Sequence, residues 1–198
     1  MKHADFKKLT GWIDYDRAQL PKLTYHQKVL YFDKRLRMVL IKPLIDVFNG
    51  VSKAPKQSSL LIFATSVCCA IEAFGKFKEG LSKTNHQRFK GFLSYMNPDF
   101  KRRRLFGKKY EEILWKYFRN GLAHGLAICH GGFEHQTNYF NVKKMNGIDV
   151  LMIDPKQFYL DFRSGLAEYL RNLRNAPPGD PLRDNFENVF QDVFINGN

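Results

Sequence analysis

The segment Lys116-Tyr117-Phe118-Arg119-Asn120-Gly121-Leu122-Ala123-His124-Gly125 closes a run whose apolar residues recur at helical spacing. Tyr110, Ile113, Leu114, Tyr117, Phe118, Gly121 and Leu122 follow the i, i+3, i+4, i+7 rule, which predicts an amphipathic helix from about Lys108 to His124. Gly125 is a natural stop and leaves His124 in the last turn, where exposed carbonyls favour a protonated imidazole. At about 3.6 residues per turn, Asn120 and His124 lie one above the other at the margin of the apolar stripe, and Arg119 projects from the adjoining flank. A cation, an amide and an imidazole are thereby placed to address one phosphate.

Directly upstream, Phe100-Lys101-Arg102-Arg103-Arg104-Leu105-Phe106-Gly107-Lys108-Lys109-Tyr110 interleaves basic and hydrophobic side chains. Lys101, Arg102, Arg103, Arg104, Lys108 and Lys109 can neutralise phosphates while the aromatics stack on unpaired bases. The other reading is a solvated loop ahead of a helix. Its place beside the motif helix favours an RNA approach surface.

Working back, a shorter helix is predicted over Thr84–Met96, ended by Asn97-Pro98. The stretch Ser58–Lys78 is apolar on nearly every face through Ile71 and should be the central helix. Glu72 appears where it turns amphipathic. That carboxylate is either a partner for Arg119, shaping the site, or an acid emerging at the helix edge. Tyr25–Phe48 reads as a helix that Pro43 should kink or divide and Asn49-Gly50 should stop, with a linker over Ser52–Ser59. Residues 1–24 form a lead-in.

Past Gly131-Gly132, read as a turn, the period changes. Thr137–Val142 and Ile148–Ile153 are β-prone, and Asn146-Gly147 between them signals a tight hairpin. Asp154-Pro155-x-Gln157 supplies an N-cap, a first-turn proline and a capping-box acceptor for a helix to about Arg174. Its inner face is Phe158, Phe162, Leu166, Tyr169, Leu170 and Leu173. After Pro177-Pro178-Gly179-Asp180-Pro181, a last amphipathic helix is predicted over Leu182–Ile195. The fold class is therefore mainly α, a bundle of four to five helices with a small β-hairpin inserted after the motif helix. Three segments are expected: 1–57 (lead-in and a helix packing on the bundle), 58–174 (core) and 175–198 (linker and short helix).

Composition narrows the partners. A chain that is 44% hydrophobic and 15% aromatic is a folded globule, and 32 Lys and Arg against 19 Asp and Glu give a net charge of +13 that attracts polyanions. Nucleic acid is the first partner to expect, an anionic membrane surface the second. Cys68, Cys69 and Cys129 cannot all pair within one chain, which suggests a reducing compartment. No secretory pattern opens the chain, and Leu60–Ile71 is too short to span a bilayer, so a cytoplasmic location is expected. His124, Cys129, His130 and His135 are zinc-type donors, but their spacing matches no compact finger. No metal or cofactor is expected. Neither a phosphate-cradling glycine loop nor a Gly-x-Ser-x-Gly elbow is present. Cys68 and Cys69, mid-helix among apolar neighbours, read as inert thiols.

Arg119-Asn120-x-x-x-His124 near the end of an amphipathic helix resembles the Arg-x4–6-His signature of the HEPN superfamily. Many of its members are metal-independent endoribonucleases, and others are non-catalytic RNA-binding or dimerising modules. The resemblance covers roughly residues 58–174. It implies a helical bundle with the motif near a helix end, RNA as substrate, and a homodimer whose two motifs form one composite cleft. It also implies a toxin or defence role, with an antitoxin among the partners. Metal-free cleavage by the RNA's own 2′-hydroxyl needs proton transfer and stabilisation of phosphate charge. His124 suits the base or acid, Arg119 the phosphate clamp and Asn120 the orienting amide. His130 is a candidate second proton carrier, or a polar loop residue. Against this stands a plain structural reading in which Asn120 and His124 bond each other or cap carbonyls, and Arg119 pairs with Glu112 or another acid.

Overall fold

The computed structural model describes residues 18–53, 57–121 and 131–197. The lead-in before residue 18 lies outside them. Thr24 opens the first long helix with a reciprocal cap, its hydroxyl accepting from Gln27 N–H while the Gln27 side chain accepts from Thr24 N–H. This helix, α1 (Tyr25–Leu36), passes through a π-helical turn at Arg37–Ile41 into α2 (Lys42–Lys53). A proline ring crowds the carbonyl four residues earlier and offers no N–H, so the looser winding just before Pro43 absorbs the misfit and divides the helix there. The stop expected at Asn49-Gly50 does not occur. Phe48 stacks on Tyr159 at 5.3 Å and meets Phe63 at 5.5 Å, and these contacts carry the helix past the pair.

The central helix, α3 (Gln57–Glu79), buries Phe63, Val67, Cys68, Ile71, Phe74 and Phe77. Its cover is one-sided: Ile62 is 60% exposed and Cys69 lies open. Thr84 and Gln87 form a second reciprocal cap for α4 (Asn85–Phe92), which ends in a 3-10 turn at Leu93–Tyr95. The two helices touch at Gly75, where a Cβ would sit 1.9 Å from the Arg88 carbonyl oxygen. Only glycine allows that approach.

The basic stretch is not a loop. It forms α5 (Asp99–Arg102) and then a two-residue-per-strand hairpin, β1 (Arg104–Leu105) with β2 (Lys108–Lys109), paired Arg104↔Lys109 and Leu105↔Lys108. The motif helix therefore starts later than expected, as α6 (Tyr110–Ile113), because Lys108 and Lys109 are spent on the strand. It continues as a π-helix over Leu114–Arg119. Tyr110, Ile113, Leu114 and Phe118 are buried as the periodicity required.

A third strand is the other departure. Gly131-Gly132, read as a turn, belongs to β3 (Gly131–Phe133), parallel to β5 (Ile148–Ile153), and β4 (Phe140–Met145) closes the other side antiparallel, giving the order β3-β5-β4. Glycine is poor in strands, but a Cβ on Gly131 would lie 2.2 Å from the Phe118 ring, so packing on the motif helix demands it. The Asn146-Gly147 turn is as expected, with φ of 51° and 79°.

Asp154 caps α7 (Pro155–Asn175), its carboxylate accepting from Gln157 N–H at 2.7 Å. The reciprocal half of a capping box is not made, because Asp154 N–H donates to the Tyr139 carbonyl. All of the expected inner face of α7 is buried. Asp180 then caps α8 (Pro181–Phe190), which runs on as a π-turn over Gln191–Asn196. Phe186 and Phe190 are fully buried, and Phe186 packs on Phe32 at 5.3 Å and Phe77 at 5.9 Å. Buried residues of segments 1–57, 58–174 and 175–198 thus belong to one hydrophobic core, with α1 packed on the bundle. Among the described residues, no helix is long and apolar enough to cross a membrane.

Candidate functional site

Arg119 ends the π-wound part of the motif helix and points toward α3. Its Nε donates to Glu72 Oε2 at 2.6 Å, and Nη2 lies 2.6 Å from the same oxygen. Its Nη1 donates to Asn120 Oδ1 at 3.0 Å. Both members of the ion pair keep only 17% of their side-chain surface exposed, so water screens the pair weakly and its charge-assisted bond is worth roughly 1.5–3 kcal/mol. The guanidinium also stands over Trp115, 5.0 Å from the ring centroid. The i, i+4 spacing of Trp115 and Arg119 puts the two on one face. On its other flank Trp115 stacks on His86 at 5.2 Å and meets Phe89 at 5.4 Å. Three side chains, Glu72, Asn120 and Trp115, thus fix one guanidinium, and His86 and Phe89 of α4 back the indole.

Around it opens a pocket of about 190 Å³ lined by Cys69, Glu72, Ala73, Lys76, Arg88 and Arg119. One face of α3 supplies Cys69, Glu72, Ala73 and Lys76, spaced for a single stripe. The contact at Gly75 brings Arg88 against it. Arg88 is held by the carbonyls of Gly80 and Leu81 and by Asn85, and Lys76 pairs with Asp192 at 3.0 Å. Three cations are met by two carboxylates, Glu72 and Asp192, leaving an excess of positive charge that suits a small anion such as a phosphate group. Cys68 is turned into the core, where burial pushes its thiol well up, so it is inert, whereas Cys69 is exposed at the pocket.

Of the residues singled out from the sequence, Glu72, Arg119 and Asn120 come together here. Arg119 pairs with Glu72, not with Glu112. His124, Cys129 and His130 lie outside the described residues. His135 is 3.9 Å from Asp154, at the start of α7. Among the described residues, no group of three His, Cys, Asp or Glu side chains could hold a metal.

The basic hairpin lies elsewhere. Lys108 and Lys116 stand over the Tyr117 ring at 5.8 and 5.1 Å, and Tyr117, two residues before Arg119, projects from the opposite side of the helix. Lys101, Arg102, Arg103 and Arg104 are exposed, and Lys109 is half-buried. Arg103 stands over Tyr110 at 5.5 Å and lies 3.9 Å from Asp99; Arg104 Nη1 donates to the Gly107 carbonyl at 2.9 Å. None of them lines the Arg119 pocket. The chain therefore carries two separate cationic features on opposite flanks of one helix.

Sequence reasoning missed Trp115, His86, Lys76 and Arg88. The i−4 position of Trp115 relative to Arg119 and the i+4 position of Lys76 relative to Glu72 were signals for two of them. Arg88 and His86 depend on how α4 meets α3. No family model, no curated protein and no solved structure matches this chain.

Proposed function

We propose that this chain binds RNA and cleaves it without a metal, in the manner of the HEPN-type endoribonucleases its motif resembles. The observation that carries the reading is Arg119. A guanidinium locked by Glu72, Asn120 and Trp115 at the mouth of a cationic pocket is prepared to grip a phosphate with little reorganisation. His124 follows four residues after Asn120 in the sequence. In the step proposed, the RNA 2′-oxygen attacks phosphorus as His124 takes its proton, a P–O2′ bond forms and the P–O5′ bond breaks. A second imidazole, supplied by His124 of another copy, gives a proton to the departing 5′-oxygen. The products are a 2′,3′-cyclic phosphate and a 5′-hydroxyl, and Arg119 offsets the charge that gathers on the phosphate oxygens between them. A toxin or defence role, with an antitoxin as partner, belongs to the same reading.

Mixed RNA incubated with the protein in EDTA tests it. Fragments ending in 2′,3′-cyclic phosphate are expected, with at least a hundredfold slower cutting by Arg119→Ala and His124→Ala at unchanged circular dichroism, by analogy with losing one transition-state donor or a general base, each worth about a hundredfold or more. Cutting by both variants at the wild-type rate, or none by the wild type, overturns it. The closeness of the Arg119–Glu72 pair favours one second reading: Arg119 as a strut in a non-catalytic module that binds RNA or a protein partner. In that case RNA affinity depends on Arg102, Arg103, Arg104 and Lys108, and His124 is dispensable.

A further inference from the structure

A second cavity, of about 390 Å³, opens where the turn after α3 meets α8. Its wall is built largely of carboxamides. Asn185 and Asn188 line it from α8, Gln191 and Asn196 from the π-turn that follows, and Leu81 and Ser82 close the far side. Helix phase accounts for the first pair: three positions apart, they share one flank of α8, while Phe186, Val189 and Phe190 are buried on the other.

Solvation alone does not explain this wall, because Asn is a weaker helix former than the Lys or Glu that a merely wetted flank would favour. Asn185 has a structural task, donating to the Lys78 carbonyl at 2.9 Å near the end of α3. Gln191 donates to Asn196 at 3.4 Å, and the π winding, a feature frequent at functional sites, brings both to the cavity. Asn188 is exposed and makes no side-chain bond among the described residues.

The cavity adjoins the Arg119 pocket at two points. Lys76, in the wall of the Arg119 pocket, pairs at 3.0 Å with Asp192, in the wall of the second. Arg88, also in the first wall, donates Nη2 at 2.7 Å to the carbonyl of Leu81 in the second. A phosphate gripped by Arg119, Lys76 and Arg88 therefore has the carboxamides within reach of its own sugar and base.

We propose that the two cavities form one nucleotide site, the Arg119 pocket taking the phosphate and the carboxamide cavity the adenosine attached to it. A carboxamide sets a donor beside an acceptor and pairs in bidentate fashion with adenine N6 and N7, whereas guanine shows two acceptors there and calls for a cation. Lys76, which borders the cavity, is engaged by Asp192. The volume falls within the range of roughly 300–1,000 Å³ that small-molecule pockets occupy, and Leu81, 45% exposed, gives a base an apolar surface to lie on. The inference rests on a phosphate being bound at Arg119, but not on RNA being cut.

Calorimetric titration of the full chain with 5′-AMP, 5′-GMP and inorganic phosphate tests it. AMP should bind about tenfold more tightly than GMP or phosphate, the discrimination that one good bidentate pair supplies. Asn188→Ala combined with Gln191→Ala should weaken AMP about tenfold and leave phosphate affinity and the melting temperature unchanged, since both residues are exposed. Arg119→Ala should weaken both ligands. AMP bound no better than phosphate, GMP bound as well as AMP, or AMP affinity untouched by the paired substitution overturns the proposal. Displacement of AMP by an uncleavable 2′-O-methyl oligoadenylate shows that an RNA strand supplies the nucleotide; AMP binding without displacement assigns the site to the free nucleotide and counts against the nuclease reading alone. Cutting of RNA by a protein that fails the AMP titrations overturns this inference and leaves the nuclease reading standing.

Discussion

Glu72 sets the charge that Arg119 shows to an incoming anion. Replacing it by Gln keeps shape and one acceptor while releasing the guanidinium from its counter-charge, so the pocket gains one net positive charge. Glu72→Gln should raise RNA affinity at low salt by about three- to tenfold and steepen log affinity against log salt by about one unit. Titrations from 50 to 200 mM salt decide it, and an unchanged slope would show that RNA does not reach the pocket. At this scale the sequence was half legible. Helix phase put Glu72 at the edge of α3 and Asn120 beside Arg119, yet whether Glu72 met Arg119 or solvent was undetermined, because 47 residues separate the two. Arg88 was illegible for a related reason: its arrival depends on Gly75, whose missing side chain lets two helices touch.

Elements were readable wherever local chemistry and packing agreed. Asn146-Gly147 fixed the β4–β5 hairpin, and Asp154-Pro155 fixed the start of α7. Asn146→Ala, placing a Cβ without a helpful polar side chain at φ of 51°, should cost about 1 kcal/mol in urea denaturation, while Asn146→Gly should be near neutral. Equal loss in both would mean the side chain matters for something other than φ. Elements went unread where a distant neighbour overrode the local signal. Gly131-Gly132 carries every mark of a turn, but the Phe118 ring lies where a side chain would project and the pair joins a strand. Phe106-Gly107 lacks the Asn or Asp that announces a type I′ turn, so a hairpin passed for a loop. The π-helical stretches are equally silent in periodicity, although Pro43 marked the place of the first.

At the scale of the whole molecule, helical content and a hairpin after the motif helix followed from periodicity, and helices of all three segments pack into one core. Phe32 of α1, Phe77 of α3 and Phe186 of α8 touch in one aromatic cluster, and Tyr31 meets Phe190 at 5.9 Å. A fragment of residues 58–174 should therefore lack a cooperative thermal transition, while the full chain melts in one step. A sharp melting curve for the fragment would restore the modular view. The same cluster sets an order of events during synthesis. As the polypeptide leaves the ribosome, the inner side of α1 emerges well before α8, with about 150 residues threaded between Phe32 and Phe186. Until α8 clears the exit tunnel, phenylalanines of the nascent chain stay uncovered and exposed to chaperones, so this core can close only after α8 has been made.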